Sequence, residues 1–394
     1  MRKVRNYIFL RDVLVLALTA FGGPQAHIAM FLDIMVNKRK YLTEEELIEL
    51  NALCQILPGP TSTQTITAIG FQRGGANLAY LTLLVWVFPA VTIMTIAGIT
   101  ILTLQTNNIS TEFTKFIQPM AVGFVAYAAF KISVKVIKSS LGVVIMIISA
   151  LVSFFFRSPY IFPFLLILGG LATAHRYKQQ PKEEKEGIHI QWANLILWAG
   201  VFVFVAGLGG LTKSNPDLLP IRLFENFYRN GSLIFGGGQV LIPLLYTEFV
   251  ELKDYLSSSE FLSGFAIVQA IPGPVFSFSA FMGALANRDA GMLGIVLAGY
   301  ISAIGIFLPG TFLIFFIIRF WDELKKYRIV RASLEGINSA SSGMVVAAAI
   351  FMYQPLDGGW LDIAIIVITF LLLTFTKTPA PIIILIGLIS GFVF

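Results

Sequence analysis

Two short stretches decide how this chain is read: "CQILPGPTSTQ" (Cys54–Gln64) and, far downstream, "VQAIPGPVFSF" (Val268–Phe278). Each places Pro-Gly-Pro inside a long apolar run. Proline removes a backbone donor and clashes with the preceding turn. In lipid, a freed backbone group costs several kcal/mol unless something satisfies it. A break repeated in this way needs a local reason.

The surrounding composition is that of a polytopic membrane protein. Of 394 residues, 56% are hydrophobic and 13% charged, with a mean hydropathy of +0.80; a soluble domain carries about 25% charged residues. Runs such as 78–104, 141–156 and 361–375 approach or exceed the roughly 17–25 residues that span a bilayer as a helix. No alternating ten-residue pattern suggests an outer-membrane barrel. The basic, then apolar start reads as a first membrane element, since no small-residue cleavage site closes it. One cysteine, Cys54, excludes an internal disulfide, and the scattered His27, His175 and His189 exclude a histidine metal cluster. We therefore expect no metal and no cofactor. The net charge of +6 fits a positive-inside bias of the loops and gives no support to nucleic-acid binding.

The two motifs belong to a longer repeat. At an offset of 214, "FGGPQ" (Phe21–Gln25) falls on "FGGGQ" (Phe235–Gln239), "YLTEEEL" (Tyr41–Leu47) on "YLSSSEF" (Tyr255–Phe261), and Gln55 on Gln269. At an offset of 220, Pro89 falls on Pro309, Gly123 on Gly343 and Pro159 on Pro379. The expected organisation is a first repeat over 1–175, a polar linker over 176–190, an unmatched connecting helix over 191–212 and a second repeat over 213–394. Six apolar elements per half and one between them make about 13 membrane segments. The odd connecting helix inverts the second copy, giving an all-α membrane protein built as an inverted repeat, a common plan of transporters. Basic clusters at the start (Arg2, Lys3, Arg5), in the linker and around Arg319–Arg331 fall on one side. Lys38, Arg39 and Lys40 join them if the first motif is a hairpin broken at Gly22–Gly23–Pro24. Broken, re-entrant helices are the expected form of both motif elements.

Irregular backbone within a membrane is tolerated where it lines a cavity or is buried in protein. A helix restarting after Pro60 presents unpaired N–H groups and the positive end of its dipole, a ready site for an anion. The candidate binding residues are Gly22, Gly23, Gln25, His27, Gln55, Gly59, Thr61, Ser62, Thr63 and Gln64 in the first copy. In the second they are Gly237, Gly238, Gln239, Gln269, Gly273 and Ser277. The first copy is chemically richer, because "VFSFS" offers only Ser277 and Ser279. The plain alternatives are a packing kink for Pro-Gly-Pro and hydroxyls bonded back to their own helix for "TSTQ".

His27, Asp33 and Glu49 are the candidates for a coupling proton; a histidine bonding a carbonyl in a helix bundle is the structural alternative for the first. Glu248 and Glu335 also lie in or beside apolar segments. Glu46 and Glu260 follow Thr43 and Ser257 at capping-box spacing and are expected to be structural. Arg73 and Arg288 sit one turn beyond the broken helices, at an anion entrance or as snorkelling helix-end residues. The polar run Gly336–Gly343 suits close helix packing.

"FGGPQAH" followed by "LPGP", then "FGGGQ" followed by "IPGP", resembles the chromate ion transporter family in its long, two-domain form, over nearly the whole chain. The family's signature positions fall on Gly22, Gly23, Pro24, His27, Pro58, Gly59 and Pro60, and on Gly236, Gly237, Gly238, Gln239, Pro272, Gly273 and Pro274. The resemblance implies an inner-membrane, multi-pass carrier of thirteen helices that exports chromate, with sulfate as a related oxyanion. The residues alone reach only an oxygen-bearing anion at helix ends. They leave open a coupled carrier, for which no P-loop provides ATP, and a passive anion channel. A membrane enzyme is disfavoured, since no paired His/Asp motif or nucleophile elbow is present. Expected partners are the anion, membrane lipid and a second copy in a homodimer.

Overall fold

The computed structural model describes residues 2–175, 192–212, 218–234, 238–318, 327–356 and 358–393. These residues are helical throughout, with no strand among them. The linker 176–190, with His189, lies outside them, as do Gly237, Arg319, Lys325 and Lys326.

The first copy contains α1 (Arg2–Thr19), α2 (Gly23–Phe31), α3 (Glu44–Ile56), α4 (Thr61–Gly74), α5 (Ala76–Thr106), α6 (Ile117–Val136), α7 (Ser140–Phe155) and α8 (Ile161–Ala174). After the connecting α9 (Ala193–Leu211) come α10 (Leu219–Leu233), α11 (Gly238–Tyr246), α12 (Ser258–Ala270), α13 (Phe278–Ala286), α14 (Gly291–Ile317), α15 (Arg328–Phe351), α16 (Trp360–Phe375) and α17 (Ala380–Val393). The elements follow the sequence offsets. Helix α12 begins and ends 214 residues after α3, and α16 begins and ends 220 residues after α7. Helices α2 and α11 both continue as π-helix, over Leu32–Lys38 and Thr247–Leu252.

Five helices among the described residues are long and apolar enough to cross a membrane: Ala76–Thr106, Glu112–Lys135, Ala193–Leu211, Gly291–Ile317 and Ala332–Phe351. The motif regions fold differently from single spans. With 13 residues in α3 and 14 in α4, each reaches about 20 Å, short of a hydrocarbon core of about 30 Å. Each short helix starts or stops at a break.

Contacts show where these pieces lie. Phe9 of α1 packs edge-on against Tyr41, and the Asp12 carboxylate accepts from Arg39 and from the Tyr41 hydroxyl, both at 2.7 Å. The chain therefore runs up α1, turns at Gly22–Gly23 and returns beside α1 to Lys38–Tyr41. It goes in again along α3, turns at Pro58–Pro60, and comes back along α4, whose Arg73 donates to Tyr41 O at 2.9 Å. This is a double hairpin, the arrangement that puts Lys38, Arg39 and Lys40 on the side of the N-terminus. The capping boxes are formed as expected, Thr43 with Glu46 and Ser257 with Glu260.

Helix α5 starts at the level of Tyr41 and Arg73, the belt of the first copy, and its far end places Gln105 3.1 Å from Glu260, at the level of Tyr255 and Arg288, the belt of the second copy. Helix α14 runs between the same two belts: it starts beside Arg288 and ends with Phe315 packed on Phe71 and Tyr80, ring centroids 5.1 Å apart.

The halves are interlocked. Helix α15 packs on α6, α7 and α8, while α6 packs on α12 and α16. The contacts are reciprocal: a methyl group on Gly343 would collide with the Met146 carbonyl, and one on Gly123 would meet the Ile366 carbonyl at 3.0 Å. Both pairs of residues are 220 apart. The run Gly336–Gly343 sits in this tight seam, with Ser339 and Ser342 buried and Gly336 against the Gly169 carbonyl.

Candidate functional site

The same reciprocity governs the breaks. The Gly59 N–H donates to Ile234 O at 2.8 Å, and the Gly273 N–H donates to Ala20 O at 2.9 Å. Gly59 and Gly273 are repeat partners, and so are Ala20 and Ile234. Each Pro-Gly-Pro thus caps the end of the other copy's first helix. Glycine is needed at both, since φ is +114° at Gly59 and +106° at Gly273, where a side chain is strained. Space is short as well. A Cβ on Gly59 would stand 3.3 Å from Gly310 Cα, and one on Gly273 2.8 Å from Ala90 Cβ. Gly310 and Ala90 each follow a matched proline, Pro309 or Pro89, within α14 or α5. The breaks therefore sit beside the two long helices, at the middle of α5 and in the second half of α14.

The two copies furnish this centre differently. In the first copy, His27 is fully buried. Its Nε2 lies 3.3 Å from Ala20 O, and its Nδ1 lies 3.0 Å from Ser62 Oγ. A carbonyl can only accept, so Nε2 carries the hydrogen and Nδ1 accepts from the Ser62 hydroxyl. Trp86 of α5 meets the imidazole edge-on, with centroids 5.3 Å apart, and donates its indole N–H to Thr63 Oγ1 at 3.1 Å. The Gln64 Nε2 donates to Pro58 O at 2.7 Å and to Gly310 O at 3.2 Å. Thr61, Ser62, Thr63 and Gln64 are all buried, and the preceding residue, Pro60, provides no side-chain cap for α4. The hydroxyls that bond back to their own helix are those of Thr65 and Thr67, one turn further on.

In the second copy, Leu241 stands at the position of His27 and Phe278 at that of Gln64. Ser277 and Ser279 are buried but spend their hydroxyls on Pro274 O and Phe276 O, three residues back. The helix start is itself blunted, since Val275–Ser277 form a 3-10 turn before α13.

Several other expected residues are less enclosed. Gly22 and Gln55 are exposed, Gly23 and Gln269 half-buried, and Gly238 opens α11. The side chains of Gln25 and Gln239 lie outside the described residues. Asp33 is exposed and ion-paired with Lys38 at 2.7 Å, and Glu49 is exposed on α3; neither approaches the breaks as His27 does. Arg73 lies over the Tyr41 ring at 4.3 Å and beside a cavity of 320 Å³ that Gln72 and Glu46 also line. Arg288 donates to Tyr255 O at 3.3 Å, pairs with Glu260 at 3.1 Å, and borders a cavity of 460 Å³ with Thr103, Asn107 and Asp289. Both arginines bind the carbonyl of a matched tyrosine, one in each belt. In the first belt, burial and then the Asp12 carboxylate push the Tyr41 hydroxyl up to about 12, so it remains a donor.

Trp86 and Gly310 are contributors that motif reading passed over. The only signal for Gly310 is "FLPGT" (Phe307–Thr311), a further Leu-Pro-Gly. Trp86 has Ile306 as its repeat partner and carries no signal. Among the described residues, no group of His, Cys, Asp and Glu is placed to hold a metal ion.

Apolar spans, interlocked repeats and buried helix breaks define an integral membrane protein of the transporter class. The family model described as "Chromate transporter" matches residues 8–174 and 221–392, and the chain belongs to that family. It is 27% identical to an uncharacterized transporter of Methanocaldococcus jannaschii, over 96% of this chain and 92% of that one. It is 26% identical to a probable chromate transport protein of Synechococcus elongatus, over 97% and 93%. To a chromate transport protein of Pseudomonas aeruginosa it is 23% identical, over 86% and 78%. No solved structure matches the chain with significance.

Proposed function

We propose that this protein is a secondary active carrier that exports chromate across the cell membrane, binding the oxyanion where the helix breaks of its two copies meet. The observation that carries this reading is the reciprocal pair of bonds, Gly59 N–H to Ile234 O and Gly273 N–H to Ala20 O. They bring the uncapped start of α4, His27 and the breaks of both copies to one level. There the first-turn N–H groups of Thr61, Ser62 and Thr63 lack helical acceptors and carry the positive dipole end. The anion is held by these N–H groups and by the Thr61 hydroxyl, joined by the Ser62 hydroxyl once His27 no longer accepts its hydrogen, with no permanently charged side chain.

The two repeats, 1–175 and 213–394, act in opposite orientations joined by the linker 176–190 and the helix of 191–212. Support comes from α5 and α14, each of which runs from one belt to the other. Alternating access then opens one belt at a time, with Arg73 and Arg288 at the entrances. His27 is the coupling group best placed among the three candidates: it touches Ser62 and shares Ala20 O with the Gly273 N–H. Protonating Nδ1 turns it from acceptor to donor, so Ser62 must rotate its hydroxyl away, toward the anion space. Lipid covers the exposed apolar faces of α7, α8 and α9, and a second copy on α9 would form a homodimer.

Uptake of labelled chromate and sulfate into proteoliposomes, with and without a pH gradient, tests the reading. Saturable chromate flux that responds to the gradient supports a coupled carrier. Flux that never saturates supports the passive channel, and flux of sulfate alone reassigns the substrate.

A further inference from the structure

The Gln64 carboxamide has one end spent and one end free. Its Nε2 donates to two carbonyls, Pro58 O and Gly310 O, and this fixes which end is nitrogen. Its Oε1 has no hydrogen-bond partner, on a residue only 2% exposed. A buried acceptor left unmade costs about 1–3 kcal/mol, so this oxygen calls for a donor.

The carboxamide lies in the break itself. A Cβ on Gly59 would stand 3.1 Å from Nε2, and one on Gly310 2.7 Å from it, so two glycines make its room. Helical side chains lean toward the N-terminus. The amide of residue 64 therefore overhangs the first turn of α4, the turn with unpaired N–H groups. The second copy has Phe278 here and nothing comparable.

A fully ionised tetrahedral oxyanion offers acceptor oxygens and no donor. It can satisfy the α4 N–H groups, but it sets its own oxygens against Oε1. The singly protonated form keeps three acceptor oxygens for the N–H groups and hydroxyls and gives its O–H to Oε1. We propose that Gln64 makes this site selective for singly protonated oxyanions, hydrogen chromate among them, over oxyanions that remain fully ionised near neutral pH, such as sulfate and selenate. The inference rests on the reading of α4 as the anion site and names the ionic form taken there. A proton then crosses on the substrate, beside any carried by a side chain.

The test is equilibrium binding of labelled chromate and labelled sulfate to the purified full-length protein, across the acid constant of hydrogen chromate. The quantity read is the ratio of the two affinities, because titration of His27 acts on both ligands and cancels. In the wild type the ratio should fall about tenfold for each pH unit above that constant. Gln64→Leu should flatten the ratio, so that it no longer follows pH and chromate loses its advantage over sulfate. A pH-independent ratio in the wild type overturns the proposal whether or not the variant folds. So does a Gln64→Leu protein whose ratio still follows pH. Sulfate binding that persists in these cases leaves the α4 site standing, whereas failure of every oxyanion to bind overturns the α4 site and this inference together.

Discussion

The two Pro-Gly-Pro breaks share a backbone and differ in chemistry. At both, a left-handed glycine donates to the end of the other copy's first helix. Around the first stand His27, Ser62, Thr63 and Gln64, tied across helices to Ala20, Trp86 and Gly310. Around the second, Leu241 and Phe278 replace His27 and Gln64, and the serines bond to their own turn. The two copies share the scaffold that holds the breaks together, while the polar equipment stands in the first copy alone. Scaffold substitutions should therefore hurt both copies alike, and chemical ones only the first.

The largest effect belongs to the scaffold. Gly59→Ala and Gly273→Ala should each destabilise the protein by about 1–3 kcal/mol through backbone strain, and by similar amounts. Thermal unfolding of the purified variants measures this, and a neutral Gly273→Ala would break the symmetry. Next comes His27→Leu, which gives the first copy the side chain of the second. It removes the acceptor of the Ser62 hydroxyl and should lower transport by about 10–100-fold, the worth of one unmade buried polar partner. The reverse change, Leu241→His, should not restore it.

A smaller contrast separates Ser62→Ala, expected to weaken anion binding about fivefold for one net hydrogen bond, from Ser277→Ala, expected to stay within about twofold. Equal effects would remove the chemical asymmetry. The smallest is Cys54→Ala. Cys54 is fully buried within the first copy's hairpins, and transport should stay within about twofold of wild type, since no step uses a thiol.

Much of the scaffold was legible in the sequence. Matched Tyr-Leu-Ser/Thr stretches carried the capping boxes, and matched prolines marked equivalent points inside α5 and α14. Local chemistry suffices there, because a cap or a kink is settled within a few residues. The crossing of the breaks was not legible. That Gly59 meets Ile234, and Gly273 meets Ala20, depends on how the halves interlock, and backbone bonds leave no mark in side-chain patterns. For the same reason Asp33 looked equivalent to His27 as an ionisable residue in an apolar segment. The hairpin carries Asp33 out to Lys38 at the surface and leaves His27 at the break. Glu248 shows the same limit: it is buried, but Arg229, Lys253 and Asn230 already hold its carboxylate.

The most direct test is to locate chromium by its anomalous scattering in crystals of the protein grown with chromate. A single strong peak is expected within hydrogen-bond reach of the Thr61–Thr63 N–H groups, between Gly59 and Gly273. A peak confined to the cavities beside Arg73 or Arg288, with none at the breaks, would contradict it.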